Sequence, residues 1–176
     1  MAFSLSEASV PGFLVGLGAL SGLLDKADTF AAAKKIDPSV LLNFRLAPDM
    51  YPFVRQVQIA TDQAKNGLAR LAGVEPPRFE DNETTLDQLR ARLAKTVAFL
   101  KTLDAKAIDA SADREITFPR GPNKVGHMKG GDYLVHFVLP NFHFHIATAY
   151  GILRHSGVEI GKRDFLGAIP IEITPA

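Results

Sequence analysis

The feature that most constrains the fold of this sequence is a helical spacing of core-type residues, which recurs in three long segments. Successive members of each set lie mostly three or four positions apart, which places them on one face of a helix. The sets are Phe13, Leu17, Leu20, Leu24 and Ala27, then Met50, Val54, Val57, Thr61, Ala64 and Leu68, then Leu86, Leu89, Leu93, Val97 and Leu100. Helices of this kind bury their apolar faces together, so the pattern predicts a helical bundle.

Proline and glycine set the expected ends of the first two helices. The first helix is predicted to begin near Ser9, with Pro11 in its opening turn, where a missing N–H group costs little. Pro48 and Pro52 are both expected near the start of the second helix, because proline deeper in a helix would remove a hydrogen bond. This helix is expected to stop near Gly73.

The third and fourth helices carry their own start signals. Thr85 and Gln88 have the spacing of a capping box, which predicts a helix start at that point. A fourth helix is expected over residues 133–155, with Asp132 as its cap and a kink at Pro140. The charged side of the third helix is interpreted as a solvated face, and it carries Arg90, Arg92 and Lys95.

A small β-hairpin is predicted between the third and fourth helices. Residues 114–118 alternate like a short strand, and residues 125–128 can pair with them across the turn-rich segment between. The tail over residues 158–176 contains apolar residues that are expected to pack back onto the bundle. The predicted fold is therefore mainly all-α: an antiparallel four-helix bundle with one hairpin, formed as a single domain over residues 1–176.

Composition excludes several classes of function. The 20 lysine and arginine residues balance 19 acidic residues, which gives a net charge of +1. The chain therefore lacks the excess of positive charge that is typical of proteins that bind nucleic acid or an anionic membrane. The absence of cysteine excludes disulfides, thiolate metal ligands and a cysteine nucleophile. No serine nucleophile elbow, phosphate-binding loop or dinucleotide fingerprint is present.

The amino-terminal apolar run at residues 10–24 raises the question of export. No positive charge precedes it, as a secretory signal would require, and it is shorter than the roughly 20 residues that span a bilayer. It is interpreted as a buried helix of a cytoplasmic protein. Its glycines favour close approach by a neighbour, which is either another bundle helix or a second subunit; they are Gly12, Gly16, Gly18 and Gly22.

The five histidines fall in the last 50 residues, which invites a metal hypothesis. His143 and His145 point about 200° apart on a helix, and His136 and His143 stand about 10 Å apart along the axis. Neither pair can share one ion on a single helix. Spacing alone therefore does not make a zinc site.

Asn141 and His145 remain as the better candidates, because residues four apart stack on one helix face. Together with Asp49 and Tyr150 they form a candidate polar pocket inside the bundle. The alternatives stay open: His145 as a core histidine bonded to Asn141 or a carbonyl, Asp49 as a helix cap, and Tyr150 as a packed core residue. Gln56 and Gln63 lie on the same stripe as Asp49.

Four stretches of sequence resemble a known family. They are NFRLAPDM at residues 43–50, QVQIA at 56–60, LPNFHFH at 139–145 and YGILRHSGVEIGKRDFLG at 150–167. They resemble the uncharacterised family called domain of unknown function nineteen ninety-three, a branch of the DinB-like superfamily. The resemblance implies a four-helix bundle and a homodimer.

The same resemblance implies a place for a metal site. Many members of the superfamily carry three histidine ligands, one from the second helix and an HxxxH pair from the fourth. His145 matches the second histidine of that pair, whereas Asn141 stands in place of the first. The second-helix ligand falls around Asp49, where no histidine exists.

Two functions follow as hypotheses. The first is a non-catalytic or small-ligand-binding bundle with its pocket around Asn141, His145, Asp49 and Tyr150, and with a ligand that the sequence does not identify. The alternative is a metal-dependent hydrolase or thiol-dependent transferase with a degenerate site. In that case His145 and Asp49 would hold a divalent metal ion.

Overall fold

The computed structural model describes residues 3–172 and Thr174. Its helices and strands follow one another in chain order. They are α1 (Leu5–Lys34), α2 (Ser39–Asn43), α3 (Phe53–Ala72), α4 (Leu86–Leu100), α5 (Ala105–Asp109), β1 (Glu115–Pro119), β2 (Val125–Lys129), α6 (Gly130–Asp132), a π-helical segment (Tyr133–Val138), α7 (Leu139–His155) and α8 (Lys162–Leu166).

The four long helices α1, α3, α4 and α7 form the bundle. Helix α3 packs between α4 and α7, and α1 packs against the same two helices from the other side. Helices α1 and α3 therefore lie on one diagonal of the bundle, and α4 and α7 on the other. The predicted antiparallel four-helix bundle is confirmed.

The predicted hairpin is also confirmed. Strands β1 and β2 pair antiparallel, with Glu115 opposite Lys129 and Pro119 opposite Val125. The inner face of β1 buries Ile116 and Phe118 against the helices. The hairpin is thereby fixed to the bundle next to the π-helical segment.

Most members of the predicted apolar stripes lie in the core. Met50 is an exception, because it precedes α3 and is only half-buried, and Val54 and Val97 are also only partly buried. Phe13, Leu17, Leu24, Leu68 and Leu89 are each at most 1% exposed. Among the described residues, α1 is the helix that is long and apolar enough to cross a membrane. Its stripe instead lies in the shared core of the bundle, as expected for a buried helix.

The predicted start of the first helix is wrong. Helix α1 begins at Leu5, where the Ser4 side chain accepts a hydrogen bond from the Glu7 N–H group and the Glu7 carboxylate accepts one from the Ser4 N–H group. This capping box outweighs the signal from Ser9 and leaves Pro11 inside the helix. The cap predicted for the third helix, in contrast, is present at Thr85 and Gln88.

The fourth long helix also begins earlier than predicted. Asp132 has helical dihedrals and makes no capping bond, because helical structure already starts at Gly130. The prediction that Asp132 caps the fourth helix is therefore wrong. The π-helical turns lie immediately before Pro140, which occupies the first turn of α7. A wider turn accommodates the missing N–H group of proline at that point.

The carboxyl-terminal tail packs back only in part. Val158 and Ile160 are buried, and α8 packs on α1. Ile169 and Ile171 are 43% and 65% exposed, contrary to the expectation for the tail. The remainder of the predicted tail at residues 173, 175 and 176 lies outside the described residues.

Candidate functional site

The most informative polar contact in the bundle joins α3 to α7. The Nδ1 atom of His145 lies 2.7 Å from Oε1 of Gln56. His145 is 8% exposed and Gln56 2% exposed, so the contact sits at the edge of the core. Gln56 also donates from Nε2 to the carbonyl of Tyr51, at 2.9 Å. The turn that precedes α3 therefore holds the amide in place.

These two bonds fix the tautomer of His145. Because Nε2 of Gln56 donates to a carbonyl oxygen, its Oε1 faces His145 and can only accept. Nδ1 of His145 must therefore carry the proton. Its Nε2 atom is left with a free lone pair, available to accept a hydrogen bond or to ligate a metal ion.

The Nε2 atom of His145 is in contact with solvent. Each fully buried side-chain nitrogen or oxygen of the described residues has a hydrogen-bond partner. The bond that the described residues make to His145 is to Nδ1, so Nε2 is not among the fully buried atoms. The exposed ring of Phe144 stands edge-on to the imidazole, with ring centroids 5.2 Å apart. The exposed Phe144 ring therefore adds an apolar surface next to the His145 imidazole.

His145 is uncharged at neutral pH. Burial, with a further contribution from the nearby Arg55 guanidinium, lowers the pKa of His145 to about 4. Both causes disfavour the imidazolium form, the first through loss of hydration and the second through like-charge repulsion. The side chain therefore acts as a neutral acceptor.

The other predicted pocket residues make different contacts. Asn141 donates from Nδ2 to the carbonyl of Phe137 at 2.6 Å, within the π-helical region. Asp49 is exposed. Tyr150 is half-buried, and its ring packs edge-on to Phe165 with centroids 5.7 Å apart. No hydrogen bond joins these three side chains to His145 within residues 3–172.

Gln56 is the site residue that sequence reasoning did not select. It was assigned to the stripe of Asp49, yet it is the α3 residue that faces His145. A signal was present, since Gln56 lies three positions after Phe53 and four before Ala60, on the same helix face. Phe53 and Ala60 are fully buried, and a polar side chain between them requires a hydrogen-bond partner.

The side chains around His145 do not form a metal-binding set in the described part of the chain. No group of three or more histidine, aspartate and glutamate residues is close enough there to hold an ion. The histidine contacts an amide and not a carboxylate. Asn141 is already bonded to a carbonyl. The three-ligand arrangement implied by the resemblance is therefore not reproduced by these residues.

A second polar cluster lies between α3, α4 and the segment that joins them. Arg92 is 3% exposed, so its assignment to a solvated face is wrong. Its guanidinium lies 3.0 Å from carboxylate oxygens of Asp62, Asp81 and Glu83, and Nε donates to Thr61 at 2.7 Å. The spacing of apolar residues in α4 could not predict the burial of Arg92, because its carboxylate partners lie outside that helix in the sequence.

Comparison with known proteins places the chain among proteins of similar fold. A family model described as domain of unknown function (DUF1993) matches residues 5–166. The crystal structure of a DinB family member protein from Shewanella denitrificans is 44% identical, with a TM-score of 0.89, over 97% of this chain and 96% of that chain. No curated protein matches the sequence.

Proposed function

Because this chain belongs to the DUF1993 family and shares the DinB-like bundle, we propose that it is a non-catalytic protein that binds a small uncharged ligand beside His145. The observation that carries the proposal is the hydrogen bond from Nδ1 of His145 to Gln56. It leaves Nε2 as a fixed acceptor at the edge of the core. A ligand with one hydrogen-bond donor and an apolar body would match this acceptor and the neighbouring Phe144 ring.

The chemistry of His145 supports binding over catalysis. A general base is most effective when its pKa lies near the working pH, and the pKa of His145 is about 4. Its partner is the neutral amide of Gln56, which cannot stabilise an imidazolium as a carboxylate would. The side chain can position a donor but is a weak proton acceptor at neutral pH.

Phenol and anisole form a matched pair of probes for this site, since anisole lacks the donor. We expect phenol to shift the NMR signals of His145 and of the Gln56 side-chain amide, and anisole to shift them much less. His145→Ala should remove the phenol response, whereas His143→Ala, on the exposed side of the same helix, should preserve it. Equal binding of both probes, or a phenol response that survives His145→Ala, would contradict the proposal.

A metal-dependent hydrolase or thiol-dependent transferase is the second candidate. The observation in its favour is that metal-binding histidines commonly donate their other ring nitrogen to an oxygen acceptor, as Nδ1 does here. The donors nearby do not complete a site, so any divalent ion would be weakly held. Elemental analysis of untagged protein tests this: stoichiometric metal that disappears in His145→Ala would favour the enzyme.

We also propose that the protein is a homodimer that uses the exposed side of α1. A side chain added at Gly12, Gly18 or Gly22 would meet nothing within 4 Å, so these glycines leave an open surface. Gly16 differs, because it makes room for the Phe142 ring inside the bundle. Light scattering should give twice the 19.1 kDa chain mass. A mass of one chain over a wide concentration range would contradict the dimer.

A cytoplasmic location is proposed on two grounds. The chain lacks cysteine, as suits a reducing compartment. The most apolar segment lies in α1, which is packed in the bundle core. Fractionation of cells that express the full chain would test the location.

A further inference from the structure

A groove runs between α3 and the β-hairpin, and neither His145 nor Gln56 lines it. Its volume is about 280 Å³, close to the lower end of small-molecule sites. One wall is the polar face of α3, with Gln63, Asn66 and Arg70. The other wall is aromatic and consists of Phe118 and Phe137. The lining of the groove thus combines polar donors with an aromatic surface.

The aromatic wall is packed against the core. Phe118 and Phe137 lie with ring centroids 4.6 Å apart, and Tyr133 stacks on Phe137 at 5.6 Å. Phe118 and Tyr133 are 4% and 1% exposed, which anchors this group of rings in the core. The half-buried Phe137 presents the accessible part of the wall.

Arg70 is a positioned cation at one end of the groove. Its Nη1 donates to the hydroxyl oxygen of Tyr133 at 3.0 Å. Burial raises the pKa of the Tyr133 hydroxyl above its ordinary value, so the partner stays neutral and does not offset the positive charge. No carboxylate within residues 3–172 lies at ion-pair distance from Arg70.

Arg70 is the charged lining residue that has no partner of opposite charge among the described residues. Arg55 and Asp62 line the groove as well, but Arg55 is paired with Asp81. Asp62 is paired with Lys65 and Arg92. Arg120 is not part of the lining, but its guanidinium lies over one face of the Phe137 ring, 5.4 Å from the centroid.

We propose that this groove binds a small aromatic monocarboxylate, with the carboxylate on Arg70 and the ring against the part of Phe137 that lines the groove and that Arg120 leaves uncovered. A guanidinium presents paired N–H donors that match both oxygens of a carboxylate. The amides of Gln63 and Asn66 lie on the same face of α3 and supply further donors. An aromatic ring packs favourably on an aromatic wall. This site is additional to the one at His145, and it shares neither His145 nor Gln56.

Benzoate, titrated into the full chain and followed by amide NMR, tests the proposal. We expect saturable shifts along α3 near Arg70 and at Phe118 and Phe137. Acetate, which lacks the ring, and benzamide, which lacks the charge, should each bind at this groove at least about tenfold more weakly. Benzamide can still bind at His145, and the position of its shifts separates the two sites.

Arg70→Gln removes the proposed contact and should weaken benzoate binding by about tenfold or more. Arg45→Gln, at an exposed arginine elsewhere on the surface, is the matched control and should leave the affinity unchanged. Tyr133→Phe keeps the ring stack but releases Arg70, so it should weaken binding by a smaller factor. Thermal unfolding of each variant checks that the bundle is intact.

Three results would overturn the proposal. Benzoate affinity that is unaffected by Arg70→Gln in a folded variant would show that Arg70 does not hold the carboxylate. Equal affinity for benzoate and benzamide at the groove would remove the charge argument. Inorganic phosphate that binds there more tightly than benzoate would show a simple anion site without a role for the ring.

Discussion

Replacement of Arg92 by methionine should destabilise the protein by about 3 kcal/mol. The Arg92 side chain is 2% exposed, and its three carboxylate partners, Asp62, Asp81 and Glu83, are 28%, 35% and 10% exposed. Removal of the guanidinium leaves three partly buried carboxylates without their positive partner, which lowers the free energy of unfolding. The carboxylates are partly exposed to water, and Lys65 still pairs with Asp62 in the variant. We therefore expect a loss at the lower end of the range observed when one partner of a buried ion pair is removed.

Arg90 provides a matched control on the same helix. It also contacts three carboxylates, of Asp25, Asp28 and Asp87, but its side chain is 24% exposed and two of those partners are more than half exposed. Arg90→Met should therefore cost less than about 1 kcal/mol, and less still at high salt. The number of ion pairs is the same, but Arg92 is more buried and also donates to Thr61 and to the carbonyls of Glu80 and Gln58. The comparison therefore measures burial together with these extra bonds.

Urea unfolding of the two variants measures the difference directly. For a chain of this length a loss of about 3 kcal/mol corresponds to a fall in melting temperature of about 6–12 °C. If Arg92→Met cost less than about 1 kcal/mol, or if Arg90→Met cost as much, the assignment of the stabilisation to the buried guanidinium would be wrong.

Three further predictions concern the core and the His145 contact. Gly67→Ala should cost about 1–3 kcal/mol, because the new Cβ would stand 2.4 Å from Val138. Gly151→Ala in α7, whose Cβ would meet only Leu46 at an ordinary 3.7 Å, should instead stabilise the protein by up to about 1 kcal/mol; urea midpoints compare the two variants. The pKa of His145 is lowered to about 4 in the folded protein, whereas an unfolded histidine has a pKa of about 6.5. Above about pH 6.5 His145 is neutral in both states and does not make stability depend on pH, but below it the unfolded chain binds a proton that the folded protein does not. Stability should then fall by up to about 3 kcal/mol between pH 6.5 and pH 4, and His145→Gln should lack this component of the pH dependence in urea titrations. Gln56→Glu would place a carboxylate against Nδ1 and should raise the pKa of His145 in an NMR titration; an unchanged pKa would show that the two side chains are not in contact.

The fold could be predicted largely because its signals are local. The stripe of α4 and the capping box at Thr85 and Gln88 are contained within one segment, and both are present in the structure. The predicted start of α1 is wrong although a local signal for the actual start exists. Ser4 and Glu7 have the spacing of a capping box and form it, whereas Ser9 has Gly12 at that spacing.

The site was harder to predict because its contacts are distant in sequence. Gln56 and His145 are 89 positions apart, and their pairing follows from the packing of α3 against α7. The partner expected for His145, Asn141, lies on the same helix but bonds to the carbonyl of Phe137 instead. Helix spacing can select residues on one face, but it cannot say which residue of another helix faces them.

The tautomer and pKa of His145 are the most direct test of the proposed binding site. Long-range ¹H–¹⁵N correlation spectra of the full chain, recorded over a pH series, report the protonation of both ring nitrogens. We predict a neutral ring with the proton on Nδ1 down to about pH 4 and a free lone pair on Nε2. A proton on Nε2, or a pKa near the ordinary value of about 6.5 for histidine, would contradict the fixed neutral acceptor.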